Sequence, residues 1–166
     1  NELRKFGWAK LLSGEELKKE NDKYGPEPLG NEFSFEKFKK ILAKKSRSKI
    51  KPTLMDQALI AGIGNIYASE ALFLAGIRPT TSASKISYPR VVKLHAAIQD
   101  VLARAIVKGG STLQNFSSAK GENGYFQLEA NVYDRAGLPC LVCKTPIKRI
   151  VQGQRSSFYC PTCQKP

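Results

Sequence analysis

Acidic residues are scarce in this 166-residue chain: 14 Asp and Glu stand against 27 Lys and Arg, a formal net charge of +13. That excess points to an anionic partner, nucleic acid being the commonest and a phospholipid surface the rival. Long apolar runs are missing as well: no stretch approaches the roughly 18 residues a membrane-spanning helix needs. Met55 is the only methionine, and Asn1 opens a charged, aromatic segment instead of a basic-then-apolar leader, so the expectation is a fragment or processed chain without a signal peptide. The single histidine, His95, falls beside an apolar helical stripe and reads as a packed or surface residue, not a ligand. Cysteine is absent until residue 140, and all four then fall in the final 27 residues, which favours metal binding over a disulfide framework.

The hydrophobic fraction, 42%, is enough for a packed core, so wholesale disorder is excluded. The length allows one or two small domains. Residues 1–12 mix β-formers and basic residues, and residues 21–32 are turn chemistry. A helix starts at a Ser34 cap, with Phe35, Phe38, Ile41 and Leu42 on one face. Its far end enters a basic run over 37–52 that holds no acid and could equally be a solvated face. A second helix is expected in "KPTLMDQALIAG", with Thr53 and Asp56 as a capping box. A third is expected in "NIYASEALFLAG", capped by Asn65 and stopped at Gly76. A fourth follows Ser87, with Pro89 in its first turn, a stripe of Leu94, Ala97, Ile98, Val101, Leu102 and Ala105, and Gly109 and Gly110 at its end. From Ser111 the chain turns polar and Gly-rich, the pattern of a long loop.

Chemistry concentrates in two places. Two CxxC knuckles, Cys140/Cys143 and Cys160/Cys163, are separated by sixteen residues. That spacing closes a four-thiolate tetrahedron around one structural Zn²⁺ and leaves no open position for catalysis. Between the knuckles "PIKRIVQ" and "SSFYC" suit a hairpin turning at Gly153, which places Arg155 near its tip. The second place is Gly62-Ile63-Gly64-Asn65, which interrupts an apolar helical pattern and makes a helix–turn–helix unit. Gly64 lets backbone approach a partner, and the helix start at Asn65, with Lys51 upstream, is able to hold an anion. A tight helical hairpin with no ligand fits the same residues.

Three segments in order, "IKPTLMDQALIAGIGNIYASEALFLAGIRP", "GYFQLEANVYDRAGLPC" and the cysteine tail with "QGQRSSFYCPTCQK", closely resemble the formamidopyrimidine-DNA glycosylase and endonuclease VIII family, the formamidopyrimidine branch above all. "LRKFG" is similar to the end of that family's N-terminal domain. The resemblance implies a mainly α fold, a helix–two-turn–helix domain followed by a small β-hairpin zinc finger. It divides the chain into an N-terminal-domain remnant (1–12), a linker (13–33), the DNA-binding domain (34–110), a flexible loop (111–135) and a Cys₄ finger (136–166). It implies base-excision repair of oxidised purines in double-stranded DNA, 8-oxoguanine and formamidopyrimidines among them, by base flipping and β,δ-elimination in the bacterial cytoplasm, as a monomer. Lys51, Gly64, Asn65 and Arg155 would grip phosphate. Arg4 and Phe6 would fill the gap left by the extruded base, Glu70 would lie near the base pocket, and Ser117, Ser118, Ala119, Lys120, Gly121 and Tyr125 would belong to the loop covering it. The family's nucleophile is an N-terminal proline followed by a glutamate. Neither stands in "NELRKFG", so the expectation is the C-terminal, non-excising portion of a longer enzyme. The rival is a non-catalytic zinc-ribbon module bound to ribosomal or other RNA.

Overall fold

The computed structural model describes residues 9–110 and 129–166. Arg4, Phe6, Ser117, Ser118, Ala119, Lys120, Gly121 and Tyr125 lie outside the described residues. Among the described residues, five α-helices are followed by one hairpin: α1 (Gly14–Asn21), α2 (Phe35–Lys44), α3 (Ile50–Met55), α4 (Asn65–Leu74), α5 (Tyr88–Val107), β1 (Lys148–Gln152) and β2 (Arg155–Tyr159), with a 3₁₀ turn at Ala83–Lys85 before α5. No helix among the described residues is long and apolar enough to cross a membrane.

Helix α1 falls within the segment read as linker. It forms because Ser13 and Glu16 make a reciprocal capping box, Glu15 and Glu16 face the positive end of the dipole, and Lys18 and Lys19 face the other. It buries no residue, so caps and local propensity alone hold it. Helix α2 begins as expected, with the Ser34 hydroxyl accepting from the Lys37 N–H at 3.3 Å, and buries Phe38, Ile41 and Leu42.

The second expected helix is corrected. Helix α3 starts at Ile50, before Pro52, and ends at Met55. Thr53 is not a cap: its hydroxyl donates back to the Lys49 carbonyl at 2.9 Å, inside the turn. Asp56 leaves the helix with ψ 103°, and its Oδ1 accepts the Ala58 N–H at 3.1 Å, which starts a turn instead of a new helix. The "LIAGIG" stretch is therefore not helix. Gln57 supports it from its side chain, accepting the Gly62 N–H at 2.8 Å and donating to the Ile63 carbonyl at 3.1 Å. Gly62 adopts φ +81°, which only glycine takes readily. Gly25 packs its backbone onto this turn so closely that a Cβ would lie 2.2 Å from the Leu59 carbonyl.

Helix α4 is also capped differently. Its N-cap is Gly64, and Asn65 is the first helical residue, which frees the amide side chain to reach elsewhere. The far end stops at Gly76 as expected, with Gly76 N–H to Phe73 O and Ile77 N–H to Leu72 O, both 2.9 Å, the double bond of a Schellman closure. Helix α4 is buried on nearly every side, through Ala68, Ser69, Glu70, Ala71, Leu72 and Phe73, because α5 packs on one face and β2 on another. Helix α5 buries the expected stripe, with Leu102 half-buried and Val91 added. His95 stacks on Phe33 at 5.0 Å and its Nε2 lies 3.0 Å from the Phe33 carbonyl, so it is a packed histidine.

Two cores result. Helices α2–α5 share one. The second gathers Val132, Cys140, Ile147, Phe158 and Cys160 under the hairpin, and Phe73 of α4 joins it. In the hairpin β1 and β2 are antiparallel, with Gln152 opposite Arg155, and the two-residue turn Gly153–Gln154 has φ +53° and +63°, the primed turn that suits the strand twist.

Candidate nucleic-acid interface and metal centre

The four cysteine sulfurs lie within 4.8 Å of one another. Across the two knuckles, Cys140 Sγ is 3.9 Å from Cys163 Sγ and Cys143 Sγ is 3.4 Å from Cys160 Sγ. Zinc–thiolate bonds of about 2.3 Å at tetrahedral angles put sulfurs about 3.8 Å apart, so the donor set fits the ion. The Cys163 N–H points at Cys160 Sγ at 3.4 Å, and the Thr145 and Thr162 hydroxyls join the knuckles at 3.0 Å. The site is a Cys₄ centre for one structural zinc.

Its hairpin is tied into the helical body. Gln164, fully buried, accepts the Cys160 N–H and donates to the Ile77 carbonyl, both at 2.8 Å. Glu70, 1% exposed, accepts four N–H bonds of 2.8–3.0 Å, from the backbones of Asn131, Val132 and Tyr133 and the amide of Asn131. The expectation put Glu70 beside a base pocket. Its carboxylate is fully engaged in clamping the segment that leads into the finger, and these four bonds account for its burial.

Where the hairpin tip meets α3 and α4 lies a cavity of about 220 Å³, lined by Lys51, Pro52, Met55, Asn65, Gln152, Gly153, Arg155 and Ser157, with no acid among them. Lys51 is 1% exposed, and its Nζ donates to Ser157 Oγ at 2.8 Å and to the Ser156 carbonyl at 3.2 Å. Asn65 Nδ2 donates to the same carbonyl at 3.0 Å. Burial first, and then the like charge of Arg155, push the Lys51 pKa down to about 7. A cation buried without an acid is costly to the fold. Asn65 Oδ1 and Gln152 Oε1 are likewise buried without a partner. The orphaned amide oxygens are acceptors and call for a donor such as water, whereas the Lys51 ammonium and the Arg155 guanidinium, with no acid in the lining, mark a place that an anion would complete.

Three of the expected residues, Lys51, Asn65 and Arg155, thus converge on one cavity, from α3, α4 and β2. Gly64 does not line it; it is exposed at the helix start. Ser156, Ser157 and Gln152 were missed. The signal was present: Arg155 and Ser157 are two apart on one strand and so share a face, and Gln152 is the cross-strand partner of Arg155.

Family models match two regions: the formamidopyrimidine-DNA glycosylase H2TH domain over residues 24–117, and the zinc finger found in FPG and IleRS over 137–166. A formamidopyrimidine-DNA glycosylase of Polaromonas naphthalenivorans is 60% identical over 98% of this chain, and the chain spans 61% of that relative's length. Among solved structures, the MutM (Fpg) protein of Thermus thermophilus is 42% identical with a TM-score of 0.81, over 86% of this chain and 54% of that one. The Lactococcus lactis Fpg in complex with abasic-site-containing DNA is 37% identical with a TM-score of 0.90, over 99% of this chain and 60% of that one.

Proposed function

We propose, from the premise that this chain belongs to the formamidopyrimidine-DNA glycosylase family through its H2TH domain, that it is the DNA-gripping portion of a base-excision-repair glycosylase and AP lyase acting on oxidised purines. The chain covers about 60% of the length of the curated relatives it matches. The partner is double-stranded DNA with a damaged base or an abasic site, bound by a monomer in the bacterial cytoplasm. The observation that carries this reading is the acid-free cavity where Lys51, Asn65 and Arg155 meet.

A DNA phosphate fits that cavity chemically. Lys51 supplies an ammonium already aimed inward, Arg155 supplies a fork that reaches in from the exposed hairpin, and Asn65 supplies an amide on the first turn of α4, where the helix dipole favours an anion. The Ser156 carbonyl is the place-holder: it accepts from Lys51 and Asn65 in the free protein, and a phosphate oxygen would take over those donors. In this reading Lys51, Asn65 and Arg155 hold and orient backbone, as an enzyme that extrudes a base requires. Glycines 62 and 64 serve the turn and the helix start, which bring Asn65 to the cavity.

Affinity for an abasic-site duplex against structured RNA tests the reading. The expected result is tighter binding to the abasic duplex, falling steeply with salt. Asn65→Ala and Arg155→Ala should each weaken it about tenfold, the scale of one charge-assisted hydrogen bond, with melting and zinc content unchanged. Tighter binding to the RNA would overturn the glycosylase reading.

A further inference from the structure

Two acid-free stretches of the sequence, 37–55 and 71–99, are zipped together in the fold. Lys51 N–H bonds Pro79 O at 3.4 Å, Ile50 N–H bonds Thr81 O at 2.8 Å, and Lys49 and Ser82 form an antiparallel bridge. The seam continues with Ala83 N–H to Ser48 O at 3.0 Å and Ser84 N–H to Ser46 O at 2.9 Å. The pairing sets Arg47 and Lys49 on one side and Lys85 on the other. All three are exposed, and none makes an ion pair among the described residues. Between them stand the exposed hydroxyl residues Ser48 and Ser84. Cations interleaved with hydroxyls are the side chains that most often meet sugar-phosphate backbone. At its inner end the seam joins the cavity: Lys51 belongs to both, and the Pro79 carbonyl also accepts Gln152 Nε2 at 3.3 Å.

We propose that this seam is a second, lesion-independent contact that holds the backbone of undamaged duplex flanking the cavity. It rests on the DNA-binding reading above. An unpaired basic strip opening from an acid-free cavity gives the duplex arm a continuous path once one phosphate is seated. Each phosphate it neutralises steepens the salt dependence of log affinity by about 0.9.

The test uses the zinc-loaded chain and its R47Q/K49Q/K85Q variant, residues outside the cavity. Binding is measured between about 50 and 200 mM salt to an undamaged duplex of about three helical turns and an abasic duplex of about one turn. The expected result is a loss of about tenfold or more on the long duplex with a slope shallower by about 2–3, and little change on the short one. R47K/K49R/K85R should keep the parent slope. Unchanged melting and zinc content verify the fold; should the triple variant melt lower, K49Q and K85Q are each expected to flatten the slope by about 0.9 alone. An unaltered slope on the long duplex would overturn the seam while leaving the cavity reading intact. A parent chain that binds neither duplex would overturn both. Loss confined to structured RNA would assign the strip to a different partner and so defeat the proposal.

Discussion

Leu94 on α5 and Cys160 in the hairpin are both fully buried, yet the two regions around them are held by different forces. The helical body buries Phe38, Ile50, Leu54, Ile60, Leu72, Leu94 and Ile98 in one continuous core. Each such side chain contributes roughly 1.5–3 kcal/mol relative to exposure, and α2–α5 rest on this burial. The finger has six buried residues in its core, two of them zinc ligands and one, Phe73, borrowed from α4. A region that small needs a staple, and here the staples are the metal, the Glu70 clamp and the Gln164 bridge. The cavity lies at the joint. Its preorganised donors sit on the helical body, but the Ser156 carbonyl, Ser157 hydroxyl and Arg155 guanidinium come from the stapled part. Binding should therefore be more fragile than the helices.

That asymmetry is open to direct attack. The largest effect is expected from the metal: Cys143→Ser or chelation removes an apparent stabilisation on the order of 10 kcal/mol in isolated zinc modules. The hairpin should unfold and DNA binding vanish, while far-UV circular dichroism retains most of its helical signal. Complete loss of helicity with the zinc would show that the body cannot stand alone. Next is Leu94→Ala, which should cost about 2–5 kcal/mol by cavity formation and leave zinc stoichiometry at one; urea melts with metal analysis read both at once.

Glu70→Gln should cost about 2–4 kcal/mol. It turns one of two carboxylate oxygens into a donor facing N–H groups, while the shape stays the same. The signature is a lowered zinc affinity along with a lowered melting point, since the segment freed leads into Cys140. A stability loss with zinc affinity untouched would confine the clamp to the helical side.

The smallest effect is a pH dependence. With the free-protein Lys51 pKa near 7, a bound phosphate raises it, so binding takes up a proton once pH passes about 7. Affinity should then fall as pH climbs from about 7 toward 9, by at most tenfold per unit. The sign for folding is opposite: between about 7 and the ordinary lysine value of 10.5 the unfolded chain holds the extra proton, so stability rises with pH. Lys51→Arg should flatten both trends. Affinity that stays level from pH 7 to 9 would show that Lys51 is charged before DNA arrives.

Much of this architecture is legible in the sequence. The cap at Ser34, the Gly76 and Gly110 closures, the α5 stripe and the cysteine knuckles all rest on residues within a turn or two of one another. They could be read because hydrogen bonds and thiolates at those separations have few alternatives. The errors have an equally local origin. The expected helix over "KPTLMDQALIAG" scores well on apolar content, but a short Asp56 turn and the Gln57 side chain compete for the same backbone and win. Glu70 was placed near a base pocket by the family resemblance alone, and nothing nearby in sequence discloses that its four donors sit 61–63 residues away.

By itself, then, the sequence determined that the chain is basic, that α2 starts at the Ser34 cap and α4 and α5 stop at their glycines, that four cysteines hold one zinc, and that a hairpin lies between them. Only the tertiary structure decided that Lys51 and Asn65 share the Ser156 carbonyl, across 105 and 91 residues. It also decided that Glu70 clamps residues 131–133, and that two acid-free stretches meet along one seam. Caps, turns and knuckles are short-range chemistry, fixed by rotamers and hydrogen bonds a few residues apart. A buried cation facing a strand from another core is set by how α4 packs between the two, and no spacing along the chain encodes that.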